Sequence, residues 1–294
     1  MFIQLINEKK GVESLYYGCH LAASFPNRTL KEGILECKIL KEKINLEAIE
    51  IGLGAPELFR GTIAPRILPW DIDSKIKREI LDLVKCFKIK GAHLPTKSLG
   101  IYSISTNSKI EKVSKNIIKE GIIKSAELEL DYALIHLDAQ IKKITYKELW
   151  NLFEQVVCEY LEVAEDYGII LTIENSHINL IRITQLVKKI NSPFLRITLD
   201  VEHAFPLIYD TKYGSFSNFI KEEGDFIESV HISDHNLQEG HLLIGEGVID
   251  FSEIIYSLKE IRYAGAIIVE NGPKTLSDIA YSIERLRSYE ANEA

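Results

Sequence analysis

The chain has 294 residues, 46% of them hydrophobic, and a formal net charge of −8. This length fits two small domains or one (β/α)8 barrel. The negative net charge argues against broad nucleic-acid binding, although a local basic groove would be compatible with a negative net charge. The four cysteines are scattered and form no CxxC pair, which argues against a thiolate zinc site and against a disulfide framework. No apolar run approaches the ~20 residues that span a bilayer. We therefore expect a cytoplasmic protein without a membrane partner.

Eight short apolar runs, rich in β-branched residues, recur along the chain with little polar alternation, which is typical of strands covered on both faces. They cover residues 16–22, 46–52, 89–94, 132–137, 169–174, 195–200, 227–233 and 264–270. Helical patterns follow them at 29–44, 76–87, 109–129, 147–168, 180–191, 215–224, 251–262 and 275–290. Thr29 and Glu32 have the spacing of a capping box at the start of the first helix.

The repeated alternation of strand and helix predicts a parallel α/β barrel. No Ser/Gly linker, low-complexity tract or shift in composition marks a second domain. Residues 1–294 are therefore predicted to form a single (β/α)8 TIM-barrel domain.

Ionisable residues end the last six predicted strands. In chain order they are His93, His136, Glu174, Asp200, His231 and Glu270. Because the active site of such a barrel lies at the C-terminal ends of its strands, these side chains should converge at one pole. His203 follows Asp200 by three residues, and Glu239 and His241 lie in the loop after the seventh predicted strand.

Imidazoles combined with carboxylates suit Zn²⁺, Mn²⁺, Co²⁺ or Fe²⁺ better than Ca²⁺. A single strand-end histidine usually only packs or forms a hydrogen bond, but six ionisable residues in register are hard to explain without a cation, since clustered carboxylates raise one another's pKa. Nine candidate ligands exceed the need of one ion, so the set could hold two or three, with Glu174 as a bridge. Glu239 and His93 could instead support a ligand or bind substrate.

Three further residues are candidate substrate-binding residues. His20 ends the first predicted strand and either lines the site or only forms a hydrogen bond beside it. Trp70 lies in the long loop after the second predicted strand, which would overhang the active face, and Lys97 lies in the loop after the third. His177 and His235, in contrast, are predicted to face solvent.

The motifs LTIEN, LDVEHAF, VHISD and HLLIGEGVIDF resemble those of the xylose isomerase-like superfamily of metal-dependent TIM barrels. This superfamily includes sugar phosphate isomerases and epimerases and the endonuclease IV (AP endonuclease 2) proteins. The resemblance extends from YYGCHLAAS to AIIVENG, which is nearly the whole chain. It is specific for the superfamily and much less so for one reaction.

The resemblance also implies which residues bind metal. The four ligands shared across the superfamily match Glu174, Asp200, His231 and Glu270. The additional zinc ligands of the endonuclease IV branch match His93, His136, His203 and His241. Glu239 stands where that branch has an aspartate.

The chain also departs from these patterns. The endonuclease pattern has a tyrosine soon after its strand-three histidine, where this chain has Thr96, and a Pro-Gly pair after its strand-four histidine, where this chain reads HLDAQ. The segment between His231 and His241 contains no arginine or lysine. This loop argues against DNA binding, and it also lacks the arginine of the ketose 3-epimerase pattern.

Two enzymatic functions fit this sequence, and we favour the first. One is isomerisation or epimerisation of a small sugar or sugar phosphate, in which a divalent metal (Zn²⁺ or Mn²⁺, one to three ions) stabilises an enediolate and Glu174 and Glu270 transfer the proton. The other is zinc-dependent phosphodiester hydrolysis at abasic DNA, favoured by the extra histidines and opposed by the acidic balance. A non-catalytic metal-binding barrel is disfavoured because every core ligand is retained. Oligomeric state stays open.

Overall fold

The structure is a computed structural model that describes residues 14–21, 27–54, 58–59, 62–63, 66–141, 144–176, 178–272 and 275–291. Eight parallel strands close into a barrel, since the first strand pairs with both the second and the last. These strands, β1 to β8, are Tyr16–His20, Ala48–Leu53, Ile89–His93, Tyr132–Ile135, Ile170–Glu174, Leu195–Asp200, Ile227–Ile232 and Ala266–Val269. The predicted TIM-barrel fold is thereby confirmed.

A helix follows each barrel strand and packs on the outside of the barrel. These helices, α1 to α8, are Leu30–Ile44, Ser74–Val84, Ser108–Glu127, Tyr146–Tyr167, Leu180–Ile190, Phe216–Glu223, Phe251–Glu260 and Leu276–Ala291. The capping box of Thr29 and Glu32 is present at the start of α1. Helix α2 begins two residues earlier than predicted, because the Asp73 side chain accepts hydrogen bonds from the first backbone N–H groups of the helix.

Several short segments lie outside the eightfold repeat. They are Leu58–Phe59 paired with Thr62–Ile63, Arg66–Ile67 beside β2, Ile104–Ser105 paired with Ala139–Gln140, and the one-turn helix Val201–Ala204. The sequence does not predict them, because a two-residue strand is too short to show a periodic pattern. Most of them lie in the loops that follow the barrel strands. Among the described residues, no helix is both long enough and apolar enough to cross a membrane.

The main hydrophobic core lies between the strands and the helices. The interior of the barrel, however, contains polar side chains that bond to one another. The Thr198 hydroxyl lies 2.8 Å from the hydroxyls of both Thr172 and Ser229, and the Tyr132 hydroxyl donates a 2.8 Å hydrogen bond to Glu50. All five side chains are buried. The centre of the barrel is therefore partly polar, directly below the ends of the strands.

The glycine at position 18 is required by the close approach of β1 to β2. A Cβ atom on Gly18 would lie 2.5 Å from the backbone oxygen of Ala48. We expect Gly18→Ala to lower the free energy of unfolding by about 3 kcal/mol, since neither strand can move without breaking the ladder. Gly100→Ala is the control, because it only places alanine at a φ of 73° in open space and should cost about 1 kcal/mol. Equal losses in urea unfolding would contradict the crowding argument.

Candidate metal centre

The ionisable residues at the strand ends form three groups, and within each group the candidate ligand atoms lie within 4.8 Å of one another. Cluster 1 contains His93, His136 and Glu174. Cluster 2 contains Glu174, Asp200, His231 and Glu270. Cluster 3 contains Glu202, His203 and His241. Eight of the nine predicted ligands are brought together in this way, and Glu174 belongs to two clusters.

Cluster 2 is the most deeply buried of the three. The Nδ1 atom of His231 lies 2.8 Å from Oε2 of Glu270 and 3.5 Å from Oε1 of Glu174. Asp200 is held from behind by Asn175, whose side chain accepts from the Asp200 N–H at 2.7 Å and donates to the Asp200 carbonyl at 2.9 Å. The four candidate ligands come from the ends of four successive strands, and their ligand atoms lie close enough together to bind one ion.

Cluster 1 shares its carboxylate with cluster 2. Oε2 of Glu174 lies 2.5 Å from Nε2 of His136 and 3.6 Å from Nε2 of His93. The other ring nitrogen of each histidine is occupied, since Nδ1 of His93 lies 3.0 Å from the Leu94 carbonyl and Nδ1 of His136 lies 3.1 Å from the Ser176 hydroxyl. When Nδ1 of His93 donates to that carbonyl, its Nε2 presents a lone pair, which is the arrangement of a metal-binding imidazole.

Cluster 3 differs from the prediction in its carboxylate. The side chain of Glu239 is exposed and lies outside the three clusters that the described residues form. Glu202 stands in the cluster instead, with its Oε2 3.4 Å from Nε2 of His203. Gly240 makes room for it, because a Cβ at that position would lie 2.1 Å from Oε1 of Glu202. The signal was present in the sequence, where Glu202 directly precedes His203.

His235 is half-buried rather than free in solvent as predicted, and it contacts Glu202. Its Nδ1 accepts a 2.8 Å hydrogen bond from the backbone N–H of Leu237, so Nε2 carries the proton. This Nε2 lies 3.6 Å from Oε1 of Glu202. On the other side of cluster 3, Nδ1 of His241 lies 3.0 Å from the Glu270 carbonyl oxygen. Cluster 3 is thereby connected to the residues of cluster 2.

Electrostatics within the clusters balance burial against opposite charge. Burial disfavours the charged form of Glu174, but the surrounding imidazoles, His136 first, outweigh it and hold its pKa well below the usual range. Burial likewise opposes ionisation of Glu270, and His231 and His20 lower its pKa well below the usual range. The pKa of His93 is lowered, chiefly by burial, which favours the neutral ring that binds a metal.

The histidines beside the carboxylates shift in the other direction. Burial opposes the charged ring of His231, but Glu50 and Glu270 raise its pKa well above the ordinary value. For His203, burial is again outweighed, here chiefly by Asp200, and the pKa rises to about 10. Protonated imidazoles thus supply the positive charge that these carboxylates favour, and a divalent cation bound there would take the place of those protons.

Unpaired buried atoms show that the residues fit a metal. Nε2 of His136, Oε2 of Glu174 and Nδ1 of His231 are all buried, and although they lie within 2.5 to 2.8 Å of one another or of Glu270, none of these contacts between described residues has the geometry of a hydrogen bond. A buried polar atom without a partner is costly in an ordinary protein interior. Here the lone atoms belong to imidazoles and a carboxylate that face one another, and this donor set is the one that Zn²⁺ and Mn²⁺ bind. Clusters 1 and 2 therefore fit divalent metal.

The predicted substrate-binding residues occupy different surroundings. His20 is buried, with Nδ1 3.0 Å from Oε1 of Glu270, and its ring stacks on that of His93 with a centroid distance of 4.9 Å. Trp70 lies in the short 3-10 helix Pro69–Asp71, and its side chain is exposed. Lys97 is the first residue of a second 3-10 helix, which follows β3, and its Nζ atom lies 4.0 Å from a carboxylate oxygen of Asp138. His177 lies outside the described residues.

The loop that carries His241 is organised by one buried aspartate. Asp234 accepts hydrogen bonds from the backbone N–H groups of His235, Gly245, Gly247 and Ile249, at 2.8 to 3.2 Å. Gly247 lies so close to it that a Cβ there would be 2.3 Å from Oδ1 of Asp234. The conformation of the whole loop therefore depends on this carboxylate.

We expect Asp234→Ala to lower the free energy of unfolding by about 4 kcal/mol, because it removes the charged acceptor of four backbone N–H groups. Asp250→Ala is the matched control, since Asp250 is an exposed N-cap of α7 and its loss should cost about 1 kcal/mol. Urea unfolding measures both, and hydrogen exchange should rise across residues 235–249 in the first variant only. A loss no greater than that of the control would contradict this role.

A parallel barrel with its ionisable side chains clustered at the C-terminal ends of its strands belongs to the α/β-barrel class of proteins. A family model described as "xylose isomerase-like TIM barrel" matches residues 46–289. The chain therefore belongs to the xylose isomerase-like TIM-barrel family, as its motifs predict.

Individual relatives agree with this assignment. An uncharacterised protein of Methanocaldococcus jannaschii is 32% identical over 216 residues, which cover 67% of this chain and 68% of that protein. Among solved structures, a D-tagatose 3-epimerase-like protein is 23% identical, covers 94% of this chain and 97% of its own, and has a TM-score of 0.69. The IolI protein with a bound zinc atom is 16% identical, covers 95% and 97%, and has a TM-score of 0.70. Other similar structures are ketose 3-epimerases.

Proposed function

We propose that this protein is a divalent-metal-dependent isomerase or epimerase of a small sugar. The observation that carries the proposal is cluster 2, in which the carboxylates of Glu174 and Glu270 both lie within 3.5 Å of Nδ1 of His231. A cation held by this cluster would polarise the carbonyl group of the sugar and stabilise the enediolate that forms on proton removal. The epimerases among the similar solved structures support the same reaction class.

Glu174 and Glu270 would remove the proton from the carbon beside the carbonyl group and return it. Their pKa values, held low by neighbouring imidazoles, keep both carboxylates ionised and able to accept a proton. Oε1 of Glu270 also lies 3.0 Å from Nδ1 of the buried His20, which can exchange a proton with it. His20 would therefore orient the base or bind a substrate hydroxyl through its other nitrogen. Asp200, fixed by Asn175, keeps the cluster rigid.

A cavity beside the clusters favours a neutral sugar over a sugar phosphate. Its volume is about 260 Å³, and it lies between the loops after β5 and β6, against Ser176 and His203. Ile178, Ile181 and Leu207 contribute apolar walls, and none of the described residues that line it is a lysine or an arginine. The one basic side chain among the described residues of this lining, His203, already contacts Asp200 at 3.3 Å and Glu202 at 3.4 Å, and these carboxylates would oppose a phosphate group. A hydroxyalkyl chain could instead pack against the apolar surface.

The proposal is tested by proton exchange, which does not require the product to be known. Protein loaded with Zn²⁺ or Mn²⁺ is incubated in D₂O with D-allulose, D-tagatose or D-fructose, and NMR detects deuterium at the carbon beside the carbonyl group. We expect exchange with at least one neutral ketose, faster than with fructose 6-phosphate, and none after metal removal by a chelator. Absence of exchange from every ketose, with metal bound, would contradict the proposal.

A second candidate function rests on clusters 1 and 3. Together with cluster 2 they provide three adjacent groups of ligands, and clustered zinc ions are suited to generating a hydroxide and neutralising a phosphate group. We therefore keep zinc-dependent hydrolysis of abasic DNA as the alternative. Zinc-loaded protein would incise a duplex with a single abasic site, with the intact duplex as control, and binding would weaken as salt increases. Under the sugar-based function, no incision is expected.

A further inference from the structure

Glu50 is a fully buried carboxylate that the metal clusters do not include. It lies in the middle of β2, inside the barrel and directly below the strand ends. Its Oε2 accepts a 2.8 Å hydrogen bond from the Tyr132 hydroxyl and lies 3.1 Å from Nε2 of His231. A carboxylate in a barrel interior is costly unless specific partners compensate for its desolvation. The contact with His231, a candidate metal ligand, indicates what this buried carboxylate does.

The contact with Glu50 determines which nitrogen of His231 is available to a metal. Glu50 is acceptor-only when ionised, so Nε2 of His231 must donate to it. In the neutral ring, the lone pair then falls on Nδ1, which lies 2.8 Å from Glu270 and 3.5 Å from Glu174 in cluster 2. Neither of these contacts between described residues has the geometry of a hydrogen bond. A carboxylate behind a metal-binding histidine fixes the tautomer and the ring orientation and raises the basicity of the ligand.

The surrounding structure is shaped to keep Glu50 in this position. Tyr132 reaches it across the barrel interior only because residue 91 of β3 is a glycine, since a Cβ there would lie 2.1 Å from Cζ of the tyrosine ring. Tyr132 and His231 thus approach the same oxygen of Glu50, Oε2, from two different strands. The carboxylate is held by two donors, and its second bond leads directly to cluster 2.

We propose that Glu50 is a positioning residue that orients His231 and thereby sets the metal affinity of cluster 2. The inference rests on the proposed function in one respect only, namely that cluster 2 holds a divalent metal. It does not depend on which substrate the protein converts. Its predicted effect is on metal binding itself, so it can be measured without an activity assay.

The test is zinc affinity, measured by competition with a chromophoric chelator, for the full-length protein and its Glu50→Gln variant. The tightest-bound ion is the relevant one, because cluster 2 offers four ligands. We expect Glu50→Gln to weaken it by about 10- to 100-fold, since the amide cannot replace the charged acceptor behind His231. With Co²⁺ in place of Zn²⁺, the visible absorption bands should also shift, because the ligand geometry changes.

Glu223→Gln is the matched control. Glu223 is also a buried carboxylate that accepts from a tyrosine, with Oε1 2.7 Å from the Tyr213 hydroxyl, but it pairs with Lys188 outside the metal centre. Its replacement should leave zinc affinity within two-fold of the wild type. This comparison separates a general effect of removing a buried charge from an effect on His231.

Three results would overturn the inference, each in a distinguishable way. Zinc affinity of Glu50→Gln within two-fold of a tightly binding wild type would remove the role of Glu50 and leave the proposed function intact. A wild type that binds no zinc or manganese would overturn the proposed function and this inference with it. If Glu50→Gln does not fold, Tyr132→Phe replaces it, because it removes one of the two groups that hold Oε2 of Glu50 and so lets the carboxylate move away from Nε2 of His231. Unchanged zinc affinity in that variant would then overturn the inference.

Discussion

Replacing Glu174 with Gln is expected to abolish proton exchange on ketoses, with a fall of about 10⁴-fold or more, the upper range for loss of a general base. Two effects combine in this variant. The amide oxygen is a weaker ligand than a carboxylate, and Glu174 is the one side chain shared by clusters 1 and 2. The amide also cannot accept the proton. Substrate binding should stay measurable, because His20, Glu270 and the cavity beside His203 are unchanged.

The measurement combines deuterium exchange by NMR with metal content by elemental analysis. Glu239→Gln is the matched control, because Glu239 is exposed and stands outside the three clusters of the described residues. It should keep both the exchange rate and the metal content of the wild type. Exchange by Glu174→Gln at more than one hundredth of the wild-type rate would refute the proposed role of this residue.

A double replacement of His93 and His136 by Ala is expected to remove one bound ion per chain while keeping another. The double variant removes both imidazoles of cluster 1, whose only remaining ligand is Glu174. All four ligands of cluster 2 are retained, so its ion should stay bound. Elemental analysis of protein purified without added metal or chelator counts the ions, and cooperative urea unfolding establishes that the variant is folded.

The activity of this double variant separates the two candidate functions. Loss of an ion with ketose exchange retained would mean that cluster 2 suffices for the chemistry, as the sugar-based function requires. Loss of an ion together with loss of incision at an abasic site would favour the phosphodiesterase. An unchanged metal content would contradict the assignment of cluster 1 as a metal site, and the contacts of both histidines with Glu174 would then be ordinary ion pairs.

The amino-acid sequence by itself determined the barrel and most of the candidate site. Strands covered on both faces are continuous apolar runs, so a single ionisable residue at the end of each run is conspicuous, as Glu174 and Asp200 show. Parallel strands in a barrel all end at one pole, which is why the sequence alone places together residues that lie far apart in the chain. Helix starts were equally local, as the capping box at Thr29 illustrates.

Only the tertiary structure decided the partners that complete the site. Glu50 sits inside a strand, and whether its side chain points into the barrel or outward depends on the pairing register of β2, which no local pattern contains. Glu202 rather than Glu239 joins His203 and His241, because a loop held by Asp234 sets which carboxylate reaches them. Strand periodicity is a short-range property, whereas loop conformation and the inward face of a barrel arise from contacts between distant parts of the chain.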